Sequence, residues 1–373
     1  MMACSKLKLL RIATNGYWGR FAYNIVISRK RQTYTDAESN PPKSDSKEPP
    51  LVDLYGRRHN YLRISLTERC NLRCQYCMPA EGVTLSPRSA LLTRAELLRL
   101  TRVFAALGVD KLRLTGGEPT VRADLVDIVQ ELSSVPGVRT VGMTSNGVAL
   151  TRRLPALRRA GLSALNVSLD SMRPDRFERL SRRSAAALAH VRAAIDTALH
   201  LDLAAVKVNT VLMRGFNDDE VLDFVELTRH RRLDVRFIEF MPFSGNRWDD
   251  TRMVPEREVL ATLSAAYPGM ERAAPDAACD TAALWRAPGH AGRVGFISSM
   301  SKPFCVTCSR LRLTADGNLK VCLFGAAETS LRDAMRAGAD DDHLAMHVRA
   351  ALRRKLPQHA DEIAEGRGGD DDA

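Results

Sequence analysis

Between Tyr61 and Phe240 the chain repeats one pattern, a short run of β-branched and apolar residues followed by a longer stretch with apolar positions at helical spacing. The runs are YLRISLT, KLRLTG, RTVGMTS, ALNVSLD, AAVKVNTVLM and LDVRFIEF, each about the length of a strand. One helix marks its own start. Thr93-Arg94-Ala95-Glu96 has capping-box spacing, and apolar residues then recur at helical period to Leu107, just before Gly108. Strands alternating with helices predict parallel βα units, because parallel strands need crossover connections. The pattern allows an open doubly wound sheet or a full or partial (β/α) barrel.

The unusual residues follow the strands. Cys70, Cys74 and Cys77 come after the first, GGEP (Gly116 to Pro119) after the second, TSNG after the third, LDS after the fourth and FMPFSGN after the sixth. Ligand sites in both architectures lie at the carboxyl ends of strands, so these loops are expected on one rim. Cations also interrupt the apolar strands, at Arg63, Lys111, Arg113, Lys207 and Arg236. Lys111 and Arg113 are two apart and face the same side of the sheet. Such charges must be ion-paired, snorkel at a strand end or meet a ligand; their recurrence on separate strands favours a polyanionic ligand.

After Thr251 the clear alternation stops, and residues 268–293, rich in Ala, Pro and Asp, are expected as a loop. FCVTCSRLRLTADGNLKVCLFG then leaves two residues between Cys305 and Cys308 and thirteen between Cys308 and Cys322. A turn at Ala315 to Asn318 predicts a hairpin that returns Cys322 to the first pair. Cys4 and Cys279 stand alone and are expected to be ordinary thiols.

Charge changes the picture less than its total suggests. Residues 1–35 hold seven Lys or Arg and no acid, so all but +4 of the net charge of +11 lies there. This mildly basic body argues against a nucleic-acid partner, and the acid-free basic leader reads as a mitochondrial transit peptide. Without that role for residues 1–50 a cytoplasmic location is expected. Residues 36–50 read as a linker rich in Pro, Ser and charge. No stretch approaches the roughly 18 apolar residues that suggest a membrane span.

Clustered thiols in a long chain point to metal rather than to a disulfide framework. Structural zinc sites close with four Cys or His ligands, whereas each cluster here offers three thiols and no adjacent His. Three thiolates match an iron–sulfur cube with one iron open to a non-protein ligand.

The run Cys70-x3-Cys74-x2-Cys77 with Tyr76, followed by Gly116-Gly117-Glu118-Pro119, resembles the radical S-adenosylmethionine (SAM) superfamily. Cys305-x2-Cys308-x13-Cys322 narrows the resemblance to the GTP 3′,8-cyclase family of molybdenum cofactor biosynthesis, in its eukaryotic mitochondrial branch. It runs from about Asp53 to Arg336 and implies a partial (β/α)6 barrel at 51–250, a smaller cluster-binding region at 251–340 and a tail at 341–373. It further implies two [4Fe–4S] clusters, one on Cys70, Cys74 and Cys77 that binds SAM, the other on Cys305, Cys308 and Cys322 that binds the guanine of GTP. SAM contacts are implied at Tyr76, Gly117, Thr144, Ser168 and Met241. Arg63, Lys111, Arg113, Lys207, Arg236, Arg310 and Arg312 are implied to line the GTP pocket, where guanidinium forks suit phosphate oxygens.

In the implied reaction an electron cleaves SAM, the resulting radical takes the ribose 3′ hydrogen, and C3′ attacks guanine C8 to give, after reduction, (8S)-3′,8-cyclo-7,8-dihydro-GTP. An electron donor, a homodimer and a downstream cyclic pyranopterin monophosphate synthase are the partners implied. The family's Gly-Gly terminus reaches the active site; here Gly368-Gly369 is followed by three Asp and an Ala, which implies hindered turnover through repulsion of the triphosphate. The alternatives are another radical SAM enzyme with an auxiliary cluster, or a zinc-stabilised nucleic-acid-binding module that leaves GGEP unexplained.

Overall fold

A computed structural model describes residues 50–242, 249–276 and 280–358. The leader, Cys4, Cys279 and the Gly368-Gly369 tail lie outside the described residues.

Six parallel strands form the centre of the sheet in chain order: β1 (Tyr61–Ser65), β2 (Lys111–Thr115), β3 (Thr140–Ser145), β4 (Leu162–Ser168), β5 (Ala205–Leu212) and β6 (Asp234–Glu239). Between them run α1 (Arg94–Ala106), α2 (Leu125–Ser133), α3 (Leu154–Arg159), α4 (Pro174–Ser181) with α5 (Ala187–His200), and α6 (Val221–Glu226). The predicted capping box forms at α1: Glu96 N donates to Thr93 Oγ1 at 3.2 Å and Thr93 N to Glu96 Oε2 at 2.8 Å. The sheet does not close, so the architecture is a partial (β/α)6 barrel.

Period two divides each strand between two environments. Leu62, Ile64, Leu112, Leu114, Val206 and Val208 point outward and are buried against the helices. Tyr61, Arg63, Lys111, Arg113, Lys207, Asn209 and Arg236 alternate with them and face the concave interior. The apolar face stabilises the fold, and the polar face is left for a ligand. Among the described residues no helix is long and apolar enough to cross a membrane.

Beyond residue 251 the structure departs from the expectation. The alternation continues for one more unit: α7 (Glu256–Ala266) crosses over, and β9 (Arg293–Ile297) pairs parallel to β6. The stretch expected as a loop contains β7 (Glu271–Ala273) and β8 (Ala283–Arg286), which extend that edge antiparallel. These strands are three and four residues long and sit among prolines and glycines, too short for alternation to register. At the opposite edge β10 (Arg310–Leu313) pairs parallel to β1, and β11 (Asn318–Lys320) and β12 (Thr329–Ser330) follow antiparallel. The predicted hairpin is present, closed by Thr314 N to Asn318 O at 2.9 Å and Gly317 N to Thr314 O at 3.0 Å. Helices α8 (Leu331–Arg336) and α9 (Asp341–Arg353) end the described chain.

A buried ionic knot fixes the entry to β1. Arg57 Nε donates to Asp53 Oδ2 at 2.5 Å, and His59 Nε2 lies 3.0 Å from the same oxygen. Burial, then the nearby Lys355 charge, hold the His59 imidazole down to about 4, and Asp53 offsets only part of this. Because the folded value lies below the ordinary 6.5, the unfolded chain takes the proton first. This contribution is complete above pH 6.5 and is lost as pH falls towards 4, a change of about 3 kcal/mol. Urea unfolding at pH 7 and pH 4.5 should show a smaller pH-dependent loss in His59→Gln than in wild type; an equal loss would sink the assignment.

Candidate active site

The loop carrying the first three cysteines is built onto the ends of β1, β2 and β3. Past Thr115 the β1–β2 ladder continues without regular strand geometry: Gly117 N donates to Thr67 O at 2.7 Å and Glu118 N to Arg69 O at 2.8 Å. A Cβ on Gly117 would fall 2.3 Å from Arg69 O and 2.6 Å from Glu68 O. Only glycine permits this approach of two backbones one residue before Cys70. The Glu118 carboxylate, 1% exposed, then accepts hydrogen bonds from Thr120 N, Thr120 Oγ1, Ser145 Oγ and Asn146 N. Asn146 Nδ2 reaches on to Asn71 Oδ1 at 2.7 Å. GGEP and TSNG are thus one hydrogen-bonded support for the cysteine loop.

Within that loop, Cys77 N donates to Cys74 O at 2.9 Å, a tight turn between two of the thiols. Tyr76 Oη donates to Asp170 Oδ2 at 2.9 Å, and Val211 N to Asp170 Oδ1 at 2.8 Å. Burial pushes the Asp170 carboxyl up to about 6. Burial is also the main reason all three thiols are held above the ordinary range; Glu118 adds to it at Cys70, and Asp170 and the neighbouring thiols add to it at Cys74 and Cys77. Thiolates are the metal-binding form, and a cationic centre beside these three would favour it. Three thiols are the donor set that leaves one iron of a [4Fe–4S] cluster open, although among the described residues no three Cys, His, Asp or Glu side chains are gathered closely enough to hold a metal ion. Thr144 and Ser168 occupy the ends of β3 and β4, and Met241 follows β6, so all three lie at the same rim as the cysteine loop.

The second triplet reaches the concave face through strand pairing. Register sets Arg310 beside Tyr61 and Arg312 beside Arg63 on one side of β1, with Lys111 beside Tyr61 and Arg113 beside Arg63 on the other. Cys305 and Cys308 precede β10, Cys322 follows β11, and Cys308 N donates to Cys305 O at 3.1 Å. Burial alone would raise the Cys308 thiol, but the Arg310 and Lys355 charges and the Arg310 hydrogen bonds bring it down to about 6. The Cys308 thiol is thereby drawn towards the thiolate form that binds metal.

The cations of this face have mostly neutral partners. Arg113, 6% exposed, donates from Nε to Tyr61 Oη at 2.9 Å and from Nη1 to Asn166 Oδ1 at 2.8 Å. Room for its guanidinium comes from Gly142, whose Cβ would stand 2.9 Å from Arg113 Cζ. Arg236 donates to Asn209 Oδ1 at 3.0 Å. Lys111 lies 4.9 Å over the Tyr61 ring and Arg310 4.6 Å over Phe304. Arg310 Nη1 donates to Thr281 Oγ1 at 2.5 Å, but its buried Nε has no partner among the described residues.

Burial first, then mutual repulsion, lower Arg63, bring Arg236 to about 10 and Arg312 to about 9. Although burial opposes it, the Arg113 and Arg63 charges draw the Tyr61 phenol down to about 8. Among the described residues, Arg63, Arg113, Arg310 and Arg312 form no ion pair with a carboxylate. Lys207 differs. It lies 3.4 Å from Asp234 and 3.1 Å from Asp276, in local ion pairs.

Sequence reasoning passed over Tyr61, Asn146, Asp170 and the carboxylate of Glu118. Each stood inside a quoted motif, and a polar side chain beside a motif's named residue was the available signal.

Residues 64–228 match the family model for the Radical SAM superfamily, and residues 233–361 the one described as Molybdenum Cofactor Synthesis C. The chain is 55% identical over 310 residues to molybdenum cofactor biosynthesis protein 1 of Bos taurus, covering 83% of this chain and 48% of that protein. It is 52% identical over 310 residues to the mitochondrial GTP 3′,8-cyclase of Arabidopsis thaliana, covering 83% and 79%. With GTP 3′,8-cyclase of Moorella thermoacetica the identity is 43% over 310 residues, covering 83% and 95%. The chain spans about half the length of the animal relatives it matches. A solved structure of SuiB from Streptococcus suis shares the fold, with TM-score 0.51 at 13% identity over 79% of this chain and 69% of that one. With a relative matched over nearly its whole length and the cysteine loops built as described, the chain belongs to the radical SAM superfamily and, within it, to the GTP 3′,8-cyclase family of molybdenum cofactor biosynthesis.

Proposed function

We propose that this chain converts GTP to (8S)-3′,8-cyclo-7,8-dihydro-GTP, the first step of molybdenum cofactor biosynthesis. The observation that carries the reading is the cationic concave face, where Arg63, Arg113, Arg236, Arg310 and Arg312 repel one another and, among the described residues, all but Arg236, which feels Asp234 and Asp280, stand without a carboxylate ion pair. A triphosphate supplies the missing negative charge, and guanidinium forks bind its oxygens bidentately. Lys111 adds a point charge over Tyr61, while Lys207, already ion-paired, contributes at the margin.

Membership of the superfamily implies one [4Fe–4S] cluster and SAM, and Cys70, Cys74 and Cys77 are the residues to hold that cluster. When bound, they supply a carbon radical able to take hydrogen from a sugar carbon. Tyr76, Gly117, Thr144, Ser168 and Met241 hold SAM at the rim. Cys305, Cys308 and Cys322 hold a second cluster, and Arg310 and Arg312 on β10 join it to the triphosphate site. A homodimer, an external electron donor and a downstream pterin-forming synthase complete the setting. The acid-free basic segment at 1–35 and the mitochondrial plant relative support a location in the mitochondrial matrix.

The test is metal content. Anaerobically reconstituted protein should be brown and contain about eight irons per chain with matching sulfide, two cubes on two triplets. With SAM, GTP and a one-electron reductant it should release 5′-deoxyadenosine, and the cyclised nucleotide in the smaller amount that the hindered turnover implied by the Gly368-Gly369 tail allows. Stoichiometric zinc without sulfide would overturn the reading.

A further inference from the structure

We propose that Lys355 is a positioning residue that braces the second cysteine triplet and gives its cluster a fixed positive charge, an inference that rests on the reading of Cys305, Cys308 and Cys322 as cluster ligands. Lys355 lies two residues beyond α9, which is anchored in the core by Leu344, Val348, Ala351 and Leu352. The last turn continues through Lys355 N to Leu352 O at 3.1 Å, and the side chain is turned inward, leaving the residue 3% exposed. Its ammonium has three protons and three acceptors: Val321 O at 2.6 Å, Arg310 O at 3.2 Å and Cys308 Sγ at 3.4 Å. Arg310 lies two residues after Cys308, and Val321 immediately before Cys322. One side chain therefore ties the arm carrying Cys308 to the arm carrying Cys322 across the β10–β11 hairpin.

Arg57 makes a second tie, to the other cysteine of the first arm. Its Nη1 donates to Cys305 O and Pro357 O, each at 2.9 Å, and Nη2 to Leu356 O at 2.9 Å. The two cations differ in charge balance. Arg57 is neutralised by Asp53 at 2.5 Å. Lys355 has no carboxylate partner among the described residues, and its one potentially anionic contact is Cys308. Burying an unpaired ammonium is costly, so its position in the native fold calls for negative charge beside it. Three thiolates on an iron–sulfur core carry net negative charge that grows on reduction, and nearby positive charge and hydrogen bonds to sulfur favour the reduced form. Lys355 supplies both.

The experiment compares reconstituted full-length wild type, Lys355→Met and Lys355→Arg by iron and sulfide content and by a redox titration followed by electron paramagnetic resonance. Lys355→Met should lose part or all of the second cluster's four irons, and whatever cluster remains should have a more negative midpoint potential. Lys355→Arg, which keeps the charge, should retain most of the iron and a potential near wild type. Full iron with an unchanged potential in Lys355→Met would overturn the proposal, as would equal loss in Lys355→Arg, which would leave only a packing role. A wild-type chain with about four irons, unchanged by Cys305→Ala, would instead overturn the second-cluster reading, and the brace with it.

Discussion

Gly117→Ala should remove the first cluster while leaving the proposed second one, taking the iron content of reconstituted protein from about eight to about four per chain. The added methyl carbon would stand 2.3 Å from Arg69 O and 2.5 Å from Arg69 C, well inside van der Waals contact. Overpacking against side chains costs about 1–3 kcal/mol because they can rotate away. Here the neighbours are backbone atoms of the loop that enters Cys70, pinned by Glu118 N to Arg69 O at 2.8 Å. Relief requires breaking that bond and displacing Cys70 with it, so the cost should reach about 3 kcal/mol and fall on the cysteine loop. SAM cleavage should drop below detection. The second triplet flanks β10 and β11, whereas the atoms nearest the added methyl belong to Glu68 and Arg69, so the four irons proposed for it should remain. A full iron complement with unimpaired SAM cleavage in Gly117→Ala would show that the close approach is dispensable.

What the sequence made legible was local. Strand periodicity located β1 to β6, Thr93 and Glu96 marked the start of α1, and the turn before Asn318 announced the β10–β11 hairpin. The cysteines and GGEP were readable because few other uses suit three thiols within eight residues beside a pair of glycines. The remainder depended on contacts distant along the chain. Nothing near Arg310 shows that β10 will lie against β1, since that pairing joins residues roughly 250 positions apart, yet it is what carries Arg310 and Arg312 to Arg63. Lys207 illustrates the converse. As a lone cation in a strand it looked like Arg113, and only the fold brings Asp234 and Asp276 to it. Lys355 carried no signal at all, being one more basic residue at the end of an amphipathic helix, where Lys is ordinary.

Arg113→Ala should weaken GTP binding by about 1.5–3 kcal/mol, the scale of a hydrogen bond to a charged group, or about 10- to 150-fold in Kd. SAM binding should be nearly unchanged, because the residues proposed to contact SAM lie at the rim while Arg113 lies within β2. The sign of the stability change separates a ligand-binding arginine from a structural one. Removing the side chain leaves Tyr61 Oη and Asn166 Oδ1 without their donor, but it also relieves repulsion felt by Arg63 and Arg236. These effects oppose each other, so the melting temperature without GTP should change little, whereas loss of a structural arginine would lower it. Lys207→Ala gives the contrast. Its charge is already met by two carboxylates, and the loss of GTP affinity should be several-fold smaller. Isothermal titration of both variants with GTP and with SAM decides the matter: equal losses for the two lysine and arginine variants, or loss of both ligands together in Arg113→Ala, would mean that the unneutralised cations are not what recognises the triphosphate.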